Sequence, residues 1–269
     1  MTHLRAIERK RGGATMAENQ FPFSVPAIRT LGTLDLSASV TFFVGENGSG
    51  KSTLLEGIAA AAHLPTVGSA EIGEDATLGL QRRLASAFRL TWETRTHRGF
   101  FLRAEDFFGF ARRIAQLRAE LKQRVADVDT EFRAASDYVK GLAAGPAAGS
   151  LAELTRRYGS DLDARSHGES FLKLFEARMV PGGLYLLDEP EAALSPQNQL
   201  LLLALLLQMV QQDSQFIIAT HSPMLLAFPE ARIYDFDREP IAEVKWEELE
   251  HVTLTRAFLE NPERFLRRL

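Results

Sequence analysis

The chain has no cysteine among its 269 residues. That excludes disulfides, thiolate zinc sites and a cysteine nucleophile, and it agrees with a reducing cytoplasm. Long hydrophobic runs are missing as well. The most apolar, Leu200 to Leu207, falls far short of the roughly 20 residues that a bilayer demands and reads as a helix packed inside the domain. The N-terminus has charge but no apolar segment of the export-signal kind, so a cytoplasmic location is expected. An excess of positive charge is also lacking. The net charge is −4 with a pI near 5.9, so bulk electrostatics give nucleic-acid binding no support. Two short basic clusters, Arg5 to Arg11 and Arg264 to Arg268, read as solvated termini, with a local binding patch as the alternative. What is present, 45% hydrophobic and 25% charged residues, is ordinary for a globular protein. The length suits one α/β domain with an inserted lobe better than two independent domains.

One stretch carries most of the chemistry. Val40 to Val44 is apolar and rich in β-formers, and it runs straight into Gly45-Glu46-Asn47-Gly48-Ser49-Gly50-Lys51-Ser52-Thr53. A strand followed by Gly-x4-Gly-Lys-Ser is a phosphate-binding loop: its backbone N–H groups turn inward around an anion, Lys51 reaches the β- and γ-phosphates, and the Ser52 hydroxyl holds Mg²⁺. The helix that follows aims its positive end at the same phosphates.

Two later segments have the same shape, an apolar strand ending in a polar tip. Leu184 to Leu187 deliver Asp188 and Glu189 to the edge where open α/β sheets bind ligands. Asp188 is placed to hold Mg²⁺, directly or through water, and Glu189 to orient and deprotonate an attacking water. Phe216 to Ala219 lead to His221, which is expected to hydrogen-bond the γ-phosphate and sense its presence. A histidine after a strand is commonly a cap or a surface residue. Its place at the third such tip favours the functional role.

The order Gly45–Ser52, Ser166-His167-Gly168-Glu169, Asp188-Glu189-Pro190, Ala193-Leu194-Ser195-Pro196, His221 resembles the ATP-binding-cassette (ABC) type of ATPase, in the branch that includes soluble chromosome-maintenance and recombination ATPases. The phrases Ser-His-Gly-Glu-Ser-Phe-Leu and Leu-Tyr-Leu-Leu-Asp-Glu-Pro-Glu-Ala-Ala-Leu-Ser-Pro look like those of small stand-alone bacterial predicted ATPases. The resemblance implies an α/β P-loop nucleoside triphosphatase of ABC type with a helical insert lobe, using ATP and Mg²⁺. It further implies an ATP-dependent homodimer, two copies enclosing two ATP molecules head to tail. Each site would combine Lys51, Ser52, Asp188, Glu189 and His221 of one copy with the signature-loop residues Ser166 and Gly168 of the other. The segment around Leu194 and Ser195 resembles the loop that passes between the two sites.

Departures from that family are as informative. The family signature usually begins Leu-Ser-Gly-Gly, whereas here Arg165 precedes Ser166 and His167 replaces the first glycine. His167 either adds a hydrogen bond to phosphate or keeps the loop farther from its partner. Ser166 and Glu169 also match a helix capping box, a reading compatible with anion binding. The glutamine that links nucleotide to helical lobe in transporters is not evident. Arg98 to Glu105 occupies that strand-to-helix junction, where Arg103 and Glu105 either do the linking or form a surface ion pair. Phe21 and Phe23 are positional candidates for stacking on adenine.

Along the chain, residues 1–15 are expected to be a loose extension and residues 16–269 a single domain with its helical insert at about 104–165. Strands are expected at Phe88–Glu93 and Gly99–Arg103. Phe107, Phe110, Ile114, Leu117, Leu121, Val125, Val128 and Phe132 form one seam of a long helix. Gly141 to Ser150 reads as a flexible linker, a mobile elbow before a short helix Leu151–Tyr158. A helix from Glu169 to Met179 follows the signature. After His221 come a helix, strands near Ile233–Phe236 and Ile241–Trp246, and a C-terminal helix with a final turn at Asn261-Pro262-Glu263.

Three outputs fit these motifs, since one fold serves many functions. They are a soluble regulatory or genome-associated ATPase, the motor subunit of a membrane transporter, and a slowly hydrolysing nucleotide switch. DNA or a protein effector is the partner that the first would need.

Overall fold

Three five-residue runs, Val40–Val44, Leu184–Asp188 and Gln215–Ala219, are buried at every position, as strands covered on both faces must be. The structure, a computed structural model, describes residues 2–10, 20–67, 83–158 and 167–267. Their strands are β1 (Leu4–Arg9), β2 (Thr33–Asp35), β3 (Val40–Val44), β4 (Phe88–Trp92), β5 (Gly99–Arg103), β6 (Leu184–Asp188), β7 (Gln215–Ala219), β8 (Arg232–Asp235) and β9 (Ala242–Val244). The main sheet has the order β5-β6-β7-β3-β8-β9 and is parallel except for β9. Five strands therefore end on the same edge. A second, antiparallel sheet has the order β2-β1-β4.

The helices used below are α1 (Pro26–Arg29), α2 (Lys51–Ala62), α3 (Ala104–Glu131), α4 (Asp137–Tyr158), α5 (His167–Arg178), α6 (Pro196–Val210), α7 (Glu250–Glu260) and α8 (Pro262–Leu266). Because strand side chains alternate, the sheet has two dry faces. Phe42, Leu187 and Ile218 pack with Phe175 of α5 and Leu202 and Leu206 of α6. Phe43, Leu186 and Ile217 pack on the other side with Leu54 and Ile58 of α2 and with Leu4 and Ile7 of β1. No described helix is long and apolar enough to cross a membrane.

Gln215 welds the two sheets together. Its fully buried side chain accepts the His3 and Leu4 N–H groups (2.9 and 2.7 Å) and donates to the Leu4 and Leu36 carbonyls (2.8 and 2.6 Å). A buried amide is tolerated because it meets five backbone groups, the Ala38 carbonyl at 3.3 Å being the fifth.

Several expectations are corrected here. Residues 4–9 are not a loose extension but the middle strand of the antiparallel sheet, with Leu4 and Ile7 fully buried. The register shifts between Leu4 and Ala6, and this irregularity puts residues three apart on one face, hiding the period of two from sequence inspection. The elbow at Gly141–Ser150 is also absent: α4 runs through it with Pro146 in its interior. Packing against α3, where Val128 and Ala147 are buried, holds the helix together, and local propensity yields to tertiary contact. The chain reverses instead at 132–136. Helix α6 is buried on one side only, since Leu200, Leu201 and Leu207 are exposed. The helix expected after His221 is a short 3₁₀ turn, Leu225–Ala227.

Gly99 shows how closely β5 and β6 approach. With φ at +128° it places the site of a Cβ 1.8 Å from the Leu184 carbonyl oxygen, so no other residue fits there.

Candidate functional site

Strands β3, β6 and β7 are neighbours in the parallel sheet, and their polar tips meet at its C-terminal edge. The loop after β3 is shaped by glycine. Gly50 caps α2 in the left-handed region (φ 106°), and a Cβ there would lie 2.6 Å from Val25 Cγ1. The 20–29 segment therefore packs directly on the loop. On it, Phe21 is largely exposed, whereas Phe23 is buried with the Arg9 guanidinium 5.7 Å from its ring. Of the two stacking candidates, only Phe21 offers a free face.

Lys51 is buried and folds back, donating to the Gly45 and Glu46 carbonyls at 2.6 and 2.8 Å. Burial lowers its pKa, while the carboxylates of Glu189, Asp237, Asp188 and Glu191 oppose the shift. Asp237, just past β8, accepts the Glu46 N–H at 2.8 Å and so braces the start of the loop. The Ser52 hydroxyl donates to Asp188 Oδ1 at 3.0 Å. These two hard oxygens suit Mg²⁺, which is typically held by one or two carboxylates, substrate phosphates and water. Burial pushes the Asp188 carboxyl up to about 6; the Ser52 hydrogen bond and Arg103 oppose this, and Glu189 and Glu56 add to it.

Glu189 stands where β6 stops. It takes the left-handed conformation (φ 50°, ψ 49°) while its N–H donates to the Ala219 carbonyl at 2.9 Å. A non-glycine residue held there marks a turn fixed by its surroundings. The turn sends the carboxylate across to the β7 tip, where Glu189 Oε1 lies 3.7 Å from His221 Nε2 and both side chains are half-exposed. The structure thus brings together Lys51, Ser52, Asp188, Glu189 and His221. Ser195 caps α6, accepting the Asn198 N–H at 3.3 Å. Ser166 lies outside the described residues, and His167 and Gly168 open α5.

Sequence reasoning passed over several neighbours. Glu191 Oε1 accepts the backbone N–H of His221 at 2.6 Å, and burial raises its pKa. Arg103, named from the sequence as a link or a surface ion pair, ends β5 as the register partner of Asp188 and pairs instead with Glu56 of α2, a partner not foreseen. On α7, His251 has its pKa lowered by burial and by His221. The signal for Glu191 was available, as a second carboxylate two residues past Glu189. Those for Glu56 and His251 were not, because each is brought in from a distant element.

Residues 170–227 match the family described as "AAA domain, putative AbiEii toxin, Type IV TA system", and residues 24–74 match one described as "AAA domain". No curated protein matches the chain. Among solved structures it is similar to cbiO1 from Clostridium perfringens, part of the ABC transporter complex cbiONQ, with 14% identity over 89% of this chain and 92% of that one, at a TM-score of 0.43. It is also similar to an ATP-binding cassette of an ABC transporter in its ADP conformation (17% identity, 91% of each chain, TM-score 0.45). A nucleotide-free cassette from an ABC transporter gives 14% identity over 98% and 99% of the two chains, at a TM-score of 0.44.

Proposed function

From a fold and a motif order that are those of an ABC-type P-loop ATPase, we infer that the chain binds ATP on the loop Gly45–Thr53 and hydrolyses it. The observation that carries this reading is the meeting of Lys51, Ser52, Asp188, Glu189 and His221 at the ends of three adjacent parallel strands. Phosphate enters where Lys51 now bonds its own loop, and the ammonium exchanges two carbonyls for phosphate oxygens. Ser52 and Asp188 would hold Mg²⁺, which when bound neutralises charge on the phosphates. Glu189 takes the proton of the attacking water, and His221, 3.7 Å from it, donates to the γ-phosphate. The catalytic logic is positioning and charge neutralisation rather than covalent chemistry.

The second copy supplies Ser166, His167 and Gly168 to the γ-phosphate, so ATP holds two subunits together and hydrolysis releases them. The process driven is regulatory or genome-associated rather than transport. In support, no glutamine stands at the β5–α3 junction, where the resemblance puts the transporter type's link; Arg103 ends the strand there. The toxin–antitoxin wording of the family matched at residues 170–227 points the same way.

Glu189→Gln tests the scheme, because it keeps size and hydrogen bonding while removing the base. Turnover should fall at least about 100-fold, the order expected for loss of general-base catalysis. ATP binding should persist, and the chain should run as a dimer with ATP and Mg²⁺ on size-exclusion chromatography with light scattering. A monomeric variant with ATP tightly bound would overturn the two-copy scheme; unaltered turnover would overturn the role of Glu189.

A further inference from the structure

Glu191 has no part in the hydrolysis just described, yet it is the carboxylate that joins the β6 and β7 tips. It lies in the 3₁₀ turn Pro190–Ala193, two residues beyond Glu189. Its Oε1 accepts the His221 N–H at 2.6 Å, and the Thr220 hydroxyl and the Glu191 N–H also lie against the carboxylate. No salt bridge to Glu191 occurs among the described residues. Burying a carboxylate costs stability, and here its largest geometric effect is the bond to the His221 N–H.

That geometry is specific. The β6–β7 ladder ends at the pair Asp188 and Ala219, and the Glu189 N–H adds one last bond to Ala219. Beyond it, the Thr220 N–H turns to Phe43 of β3. Glu191 then supplies with its side chain the next rung on the β6 side. The bond fixes residue 221 against residue 191, and Glu189 and His221 approach to 3.7 Å between those two points.

We propose that Glu191 is a positioning residue for ATP hydrolysis, its side chain acting as an extra rung that keeps His221 in register with Glu189. This rests on the ATPase reading above. It assigns Glu191 no contact with ATP, and it locates the effect in His221. Displacing a catalytic group by about 1 Å costs about 100-fold in rate, and that is the loss expected when the rung is removed.

The variants are Glu191→Gln, which retains an acceptor oxygen, and Glu191→Leu, which retains bulk without one; Glu191→Ala serves if the leucine variant does not fold. The Gln variant should turn over ATP within about threefold of wild type, and the Leu variant about 100-fold more slowly with its Kd for ATP within about twofold. In a His221→Ala background, Glu191→Leu should add less than about threefold, since a residue acting through His221 has nothing left to position. Equal damage from Gln and Leu, a wild-type rate in the Leu variant, or the full loss persisting without the His221 side chain would each overturn the proposal. Hydrogen exchange of the His221 amide in the nucleotide-free chain requires no hydrolysis. Its protection should survive in the Gln variant and drop in the Leu variant, and unchanged protection in the latter would refute the rung. A wild-type chain that binds but never hydrolyses ATP would overturn the ATPase reading alone, leaving exchange to judge the rung.

Discussion

Asp188→Asn should make the metal-free protein more stable while it destroys the site. Asparagine keeps the volume and an acceptor for the Ser52 hydroxyl, now 3.0 Å from Asp188 Oδ1, and removes the charge. In the fold that carboxyl rises from 3.8 to about 6, chiefly through burial. At about 1.4 kcal/mol for each factor of ten, the rise corresponds to about 3 kcal/mol. The sign follows from the direction. A folded value above the unfolded one means that the native state holds its proton longer, so the contribution is favourable below about pH 4 and is lost as pH rises through about 6. At pH 8 the wild type therefore carries the entire cost of an ionised buried carboxylate and the Asn variant none. With about 2.1 cal/mol/K of unfolding entropy per residue over 269 residues, the variant should melt about 5 °C higher. Calorimetry in EDTA measures this, and a series from pH 4 to 8 should show the gap widening from under about 1 kcal/mol to its full value. Hydrolysis should be absent. A variant no more stable at pH 8, or a gap of one size across the series, would refute this account of Asp188.

Lys51→Ala should lower ATP affinity and hydrolysis together, since the same ammonium binds and stabilises phosphate; equilibrium binding of labelled ATP to the folded variant checks it, and unchanged affinity would place the nucleotide elsewhere. Gln215→Ala strips partners from the His3 and Leu4 N–H groups and the Leu4 and Leu36 carbonyls, and should cost upwards of about 3 kcal/mol at about 1 to 3 kcal/mol for each buried group left unpaired; urea denaturation reads this directly. Ser166→Arg should block dimer closure while leaving ATP binding to the monomer intact. Mixed with Lys51→Ala chains it should regain part of the activity, because one composite site of the mixed dimer then carries neither defect; full activity of Ser166→Arg alone would refute a role in the partner's site.

Legibility in the sequence followed the range of the physical signal. Strand β5 was found with its limits at Gly99 and Arg103, and the tip residues Asp188, Glu189 and His221 came from apolar runs that need only local reading. Strand β1 was missed because the irregularity near Leu4 breaks the period of two. The small-residue stretch in α4 reads as a breaker in isolation; contact with α3 makes it helix, and that contact has no local signature. At the site, the Arg103–Glu56 pair depends on how distant segments meet. Phe21 and Phe23 are equivalent in sequence position, and only the buried environment of Phe23 separates them.

Arg103 is both the register partner of Asp188 and the residue that caps α3. The root of that helix is therefore anchored within one strand spacing of Asp188, while its 28 residues reach about 42 Å at 1.5 Å per residue. Such an arm works as a pointer. A turn of about 5° at its root would sweep the far end through about 4 Å over that length. A small shift of the sheet edge beside Asp188 would therefore be enlarged at the far end of α3.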